Sequence, residues 1–252
     1  MKHALCIILI STLIAAVANA ERIVVVTENF EPYSYMEYGQ MTGLSTDVVT
    51  ATLQKAGMAY QIAEYPWPRS YKMALKDKNV LIYSIGRNEQ REPLFKWIGP
   101  IVPPIRIGLF KLKDRKDIVI QSLEDAKKYD IGVMRDSADY QLLFSRGFKN
   151  GENLDVISTT KLNIKKLFTK RFDLIACPEL WLLKTASQSG FPPERLEMAF
   201  IFMELDLYMA FSRHTADMIV DSVAAAFEKL KEDGLLQELE LKYRQKYPSI
   251  SF

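Results

Sequence analysis

Histidine and cysteine are nearly missing from this chain: two of each occur in 252 residues. His3 and Cys6 fall in the N-terminal apolar segment, which leaves His214 and Cys177 for the rest. One residue of each kind builds no zinc cluster, no Ser/His/Asp triad and no Cys/His pair. A single cysteine also forms no internal disulfide, so packing must supply the stability, as a chain of this length allows. An excess of charge is missing too, with 33 Lys and Arg against 31 Asp and Glu, a formal net of +2. The signs are interspersed. Nucleic acid is therefore not an expected partner, because counterion release needs a concentrated basic face. The basic runs from Lys111 to Asp117 and from Lys161 to Arg171 read as a turn and as the wet side of a helix. Long apolar runs are absent after the N-terminus, where nothing approaches the roughly 18 residues of a membrane span. The one early run, Ala4 to Val17, follows Lys2 and precedes Ala18-Asn19-Ala20, the pattern of a cleavable secretory signal over 1–20. Its removal takes away Lys2 and leaves a nearly neutral exported chain.

What is present is a succession of β-branched strands with polar exits. Ile23 to Thr27 reads as a buried strand that opens into Glu28-Asn29-Phe30-Glu31-Pro32-Tyr33-Ser34-Tyr35, an acidic and aromatic loop. Ser45 or Thr46 is placed to cap a helix with Val49, Leu53 and Ala56 on one face and Gly57 as its stop. Tyr60 to Tyr65 returns as a strand. Pro66-Trp67-Pro68-Arg69 then presents an indole and a guanidinium on a stiff loop, and a short helix runs from Ser70 to Lys76. Val80 to Ile85 completes a β-α-β-α-β order, which implies a parallel sheet. Around Ser84 this strand ends at Gly86 and exits into Arg87-Asn88-Glu89-Gln90-Arg91, followed by Phe95 and Trp97. Two guanidiniums at a strand's carboxyl end suit an anionic group, since arginine offers a planar fork that matches a carboxylate. Solvated surface charge is the plainer account of either arginine.

Gly99 to Pro104 is a proline-punctuated crossover into a strand from Ile105 to Leu112. A second α/β unit follows it. A helix comes after Ser122, Ile131 to Val133 is a strand, and Asp136 or Ser137 caps a helix through Phe144 whose free amides form an anion site if they face a cleft. Leu154 to Ile157 and Asp173 to Cys177 are further strands, the second ending at Pro178-Glu179 before another helix. Glu179 thus stands at a strand end in the second unit as Arg91 does in the first. A second crossover lies near Glu204 and Asp206, and two helices close the chain.

Two α/β units, two crossovers and charges of opposite sign at facing strand ends describe a hinged binder whose cleft closes on a small ligand. The chain resembles the extracellular solute-binding proteins of polar amino acid ABC transporters, the bacterial solute-binding protein family 3. The resemblance rests on Pro32-Tyr33-Ser34-Tyr35 before Gly43, Arg91-Glu92-Pro93-Leu94-Phe95-Lys96-Trp97, Ile131-Gly132-Val133 entering a helix, Phe172-Asp173, and the closing stretch from Lys231-Glu232-Asp233-Gly234 to Lys242-Tyr243. It implies an α/β two-lobe periplasmic-binding-protein-like fold, each lobe a mixed, mostly parallel sheet flanked by helices. Lobe 1 is expected over 21–102 and 207–252, and lobe 2 over 103–206. It further implies a periplasmic monomer without a cofactor, a small amino acid-like ligand and a membrane permease as partner. In that family an arginine at the place of Arg91 clamps the ligand carboxylate, helped by amides near Ser137 and Ala138. An acid, here Glu179, takes the ammonium, and Phe30, Tyr33, Tyr35 and Trp67 line the pocket. The chain departs from the family where Asn88 stands for a threonine, where Asp136-Ser137-Ala138 stands for Ser-Gly-Thr, and where Pro178 displaces the second-lobe acid. Arg69, Arg87 and Glu28 can accordingly define a different polar ligand. An exported enzyme of the cyclohexadienyl dehydratase type, with Glu179 as general acid, and a ligand-sensing module for a membrane receptor are the alternative readings.

Overall fold

The computed structural model describes residues 22–247, so the expected signal segment 1–20 lies outside the described residues. In chain order the elements are β1 (Ile23–Thr27), β2 (Tyr35–Glu37), β3 (Gln40–Thr42), α1 (Leu44–Lys55), β4 (Tyr60–Glu64), α2 (Trp67–Lys76), β5 (Val80–Gly86) and β6 (Phe95–Leu112). They continue with β7 (Ile131–Met134), α3 (Ala138–Ser145), β8 (Leu154–Ile157), α4 (Thr160–Phe168), β9 (Leu174–Pro178), α5 (Glu179–Gln188), β10 (Leu196–Ser212), α6 (Asp217–Glu232) and α7 (Leu235–Lys246).

Eight of the strands form one sheet in the order β4-β1-β5-β10-β6-β9-β7-β8. At one end β1 pairs in parallel with β4 and β5, and at the other β7 pairs in parallel with β8 and β9. These are the sheets of the two lobes. Between them β6 and β10 run antiparallel as strands of 18 and 17 residues. The expected crossovers are thus not loops between separate sheets but extended strands that join both sheets into one ladder. Register shifts recur along the β6–β10 pair from Met198 to Met209, the irregularity by which long paired strands bend and twist.

Local chemistry explains the departures from the sequence reading. The helix α2 starts at Trp67 rather than Ser70, because Pro66 caps it and Pro68 sits in the first turn, where no N–H partner is required. Its buried residues Trp67, Ser70, Tyr71 and Ala74 form one stripe against the sheet. The helix α1 is capped by the backbone of Gly43, at φ 121°, instead of by Ser45 or Thr46. Those hydroxyl residues are buried inside its first turn, and the Thr46 hydroxyl lies 2.9 Å from that of Tyr83. The main apolar core spans both lobes, from Ile23 and Val25 through Leu207 to Leu182, and a smaller cluster around Leu109, Ile131, Leu143 and Phe148 fills the second lobe.

Candidate functional site

The carboxyl ends of β1 and β5 from the first lobe face the carboxyl ends of β7 and β9 from the second, and a cavity of about 50 Å³ lies between them. This is room for a few water-sized groups. Of the residues anticipated from sequence, Arg91, Glu28, Phe30, Trp67, Ser84, Ser137 and Ala138 line it. A larger outer chamber of about 330 Å³ shares Glu28, Trp67, Met134, Thr160 and Trp181 with the inner one and adds Glu64 and Lys161.

Arg91 is the charged centre of the inner wall. It is only 1% exposed, and burial pulls its pKa down from the ordinary arginine range. Its Nη1 donates to the carbonyl of Gly86 at 2.9 Å and its Nη2 to the carbonyl of Asp136 at 2.8 Å. The guanidinium lies 5.4 Å from the Trp67 ring centre and 5.2 Å from that of Tyr71. Its Nε is buried without a hydrogen-bond partner. The backbone amide of Arg91 is fixed by Asn88, whose Oδ1 accepts at 2.9 Å.

Backbone geometry aims the neighbours. In the pairing of β5 with β10, Ile85 faces Tyr208 and Tyr83 faces Met209, so Ser84 has no partner and bulges at φ 56°. The bulge re-aims Ser84 into the cavity wall. Gly86 follows because a Cβ there would collide with Leu205. Across the cleft Asp136 is held at φ 60°, and its carbonyl accepts from the first lobe twice, from Arg91 and from Trp67 Nε1 at 2.8 Å. Ser137 then caps α3, accepting from the amide of Tyr140 at 3.2 Å while donating to the carbonyl of Met134 at 2.7 Å.

Two residues lie at the site with no role in the sequence reading. Asp139, in the first turn of α3 and 4% exposed, lines the cavity, and burial lifts its carboxyl to about 6 against the opposing pull of the Ser137 hydrogen bond and Arg91. Trp181 of α5 closes the wall edge-on to Phe30, with ring centres 5.5 Å apart. Glu28 is half-buried, and its carboxyl is raised well above the usual range by desolvation first and then by the negative field of Asp139. Cys177 also lines the cavity, its thiol pushed up by burial and Asp139, so it is no ready nucleophile.

The other anticipated residues stand elsewhere. Glu179 is the first residue of α5 and pairs with Arg106 at 2.5 Å outside the cavity lining, rather than facing Arg91, because the turn at Pro178 carries it onto the outer rim. Arg87 forms a fork with Glu92, both contacts 2.6 Å, and rests against Trp97 and Tyr208. Arg69 lies 3.9 Å above the Tyr65 ring. Tyr33 packs beside Phe30 in the core, and the Tyr35 hydroxyl accepts from Lys246 at 2.8 Å. At this rim Glu31 reaches the second lobe, its Oε2 accepting from Gln188 at 2.6 Å and its Oε1 lying 3.4 Å from Lys184 while accepting from the Tyr247 hydroxyl at 2.9 Å.

This geometry can hold a small polar solute between the lobes. Residues 23–246 match the model of the bacterial extracellular solute-binding proteins, family 3. No curated protein sequence matches the chain. Among solved structures the fold is similar to a histidine kinase sensor domain with similarity to periplasmic binding proteins, at 17% identity and a TM-score of 0.74 over 88% of this chain and 95% of that one. It is similar to an ancestral arginine-binding protein bound to arginine, at 17% identity and a TM-score of 0.74 over 88% and 97%. It is also similar to the arginine-, lysine-, histidine-binding protein ArtJ of Geobacillus stearothermophilus, at 16% and 0.73 over 90% and 96%. With the family model matched over nearly the whole described chain, this protein belongs to the bacterial extracellular solute-binding proteins, family 3.

Proposed function

We propose that the protein works in the periplasm, capturing a small polar solute, an amino acid or a related zwitterion, and delivering it to the membrane permease of an ABC-type importer. The observation that carries this reading is Arg91: a buried guanidinium on the wall of a cavity between two lobes, with Nε lacking an acceptor. Leaving a buried donor unpaired costs about 1–3 kcal/mol, and a ligand oxygen recovers it. Asp139 and Glu28, not Glu179, are placed to receive the ammonium. Closure requires a ligand that favours the closed arrangement, and the contacts of Arg91 and Trp67 to the Asp136 carbonyl belong to that arrangement. On this reading lobe 1 comprises 21–102 and 207–252 and lobe 2 comprises 103–206, with hinges where β6 and β10 change lobes, and the mature protein acts as a monomer.

Thermal unfolding of the mature protein against a panel of amino acids, oligoamines and dicarboxylates tests the reading, because anything that binds the native state raises the midpoint by mass action. A saturable shift that is lost in Arg91→Ala is expected. No shift with any member of the panel overturns it. The sensor alternative is favoured by the likeness to the histidine kinase sensor domain, and pull-down with a permease or a receptor separates the two partners. Conversion of prephenate or arogenate to a phenyl product would establish the enzymatic reading instead.

A further inference from the structure

The charges around the cleft do not cancel. The inner cavity is lined by the carboxylates of Glu28 and Asp139 and by one cation, Arg91, whose two terminal nitrogens already serve the Gly86 and Asp136 carbonyls. The outer chamber sets Glu28 and Glu64 against Lys161. Glu28 lines both chambers, which together hold Asp139, Glu28 and Glu64 against Arg91 and Lys161, one formal negative charge in excess. The wall beside Glu28 is aromatic, with Phe30, Trp67 and Trp181, which suits an ammonium group. Among the described residues no three His, Cys, Asp or Glu side chains are grouped to hold a metal ion, so these carboxylates are not arranged as metal ligands.

We propose that the cleft exchanges a proton for its ligand: Glu28 gives up its carboxyl proton when a ligand ammonium docks against it, so capture favours a solute with one positive charge in excess and reverses in acid. The inference rests on the solute-binding reading and specifies the charge of the solute and the regulation of its release. Without ligand, Asp139 faces Arg91 while Glu28, desolvated and repelled by Asp139 and Glu64, holds its proton, and the inner cavity is neutral. The incoming ammonium replaces that proton as the partner of Glu28. The proton passes to bulk water, no covalent bond to the ligand forms, and the inner cavity is neutral again. A zwitterion, neutral overall, leaves the proton where it was.

Methylammonium, glycine and acetate separate the possibilities, since glycine is the first with a carboxylate added and acetate lacks the ammonium. Each is titrated into the mature protein at matched ionic strength between pH 5 and 8, with sodium chloride as reference. The thermal midpoint and the protons released into weak buffer, followed by an indicator dye, are recorded. Methylammonium is expected to stabilise the protein with protons released on binding at pH 7, and its affinity is expected to fall as the pH is lowered toward 5. Glu28→Gln is expected to lose both the release and the pH dependence. Methylammonium acting no differently from sodium, or an unchanged proton count in Glu28→Gln, overturns the proposal. So does glycine, or any member of the amino acid panel, binding tightest with no proton released, although solute binding itself then stands. If no compound in either set binds, both readings fail.

Discussion

Among the contacts that cross the cleft, two sets differ in what they leave unsatisfied. At the rim, Glu31 of the first lobe meets Gln188 and Lys184 of α5, and Tyr247 backs it, so the carboxylate has partners on both sides. Inside, Arg91 and Trp67 reach the Asp136 carbonyl, yet Arg91 Nε has no acceptor and Glu28 and Asp139 stand partly uncompensated. The rim closes on itself, whereas the inner wall needs an occupant. Pairing explains the contrast. Glu31, its side chain 13% exposed, meets donors at both carboxylate oxygens, while the buried donor inside has only what the protein or a ligand supplies.

The contrast is open to attack from its strongest member downward. Arg91→Ala leaves the inner carboxylates without their cation and is expected to weaken ligand binding about 100-fold and to lower stability by about 3 kcal/mol, read by calorimetry and urea unfolding. Asp139→Asn probes the same wall through pH. The folded carboxyl titrates near 6, above its ordinary 3.8, so the folded state holds a proton that the unfolded chain releases. The contribution of this carboxyl to stability is therefore greatest below about pH 4 and is lost as the pH rises through 6, by about 2–3 kcal/mol in all. The variant is expected to flatten that part of the profile in urea midpoints taken from pH 4 to 7, leaving the Glu28 contribution at higher pH. Trp67→Phe removes one hydrogen bond to Asp136 and is expected to cost about 1 kcal/mol, or roughly fivefold in affinity by calorimetry. Glu31→Gln is expected to change affinity by less than about threefold. Should it act as strongly as Arg91→Ala, the division between rim and inner wall collapses.

Much of the fold was readable because buried strands announce themselves: IVVVT and VLIYSIG are buried along nearly their whole length, and Gly234 separates the two closing helices in the left-handed conformation. The single ladder was harder to read, since the prolines of Gly99 to Pro104 suggest loops when seen alone. Here they ride a long strand that bulges as it changes lobes. Within the site, Arg91, Trp67 and Glu28 follow from strand ends and turn chemistry. Asp139 escapes because an aspartate in a first helical turn is ordinarily explained by the helix dipole alone. Glu179 misleads for the opposite reason. Its place after a strand points inward, but Pro178 turns the chain and Arg106, distant in sequence, claims the carboxylate.

The closing contact at position 136 is made by main chain. Its acceptor is a carbonyl oxygen that every amino acid carries, set in place by a left-handed backbone angle that Asn or Gly adopts with even less cost than Asp. The side chain at 136 is consequently limited by the backbone angle and not by the contact itself, so Asn or Gly there is expected to keep the grip of the lobes and a β-branched residue is not. A change in loop length between Met134 and Ala138 would be felt at once. Descent with altered ligand choice can thus proceed through the side chains of this wall without rebuilding the means by which it shuts.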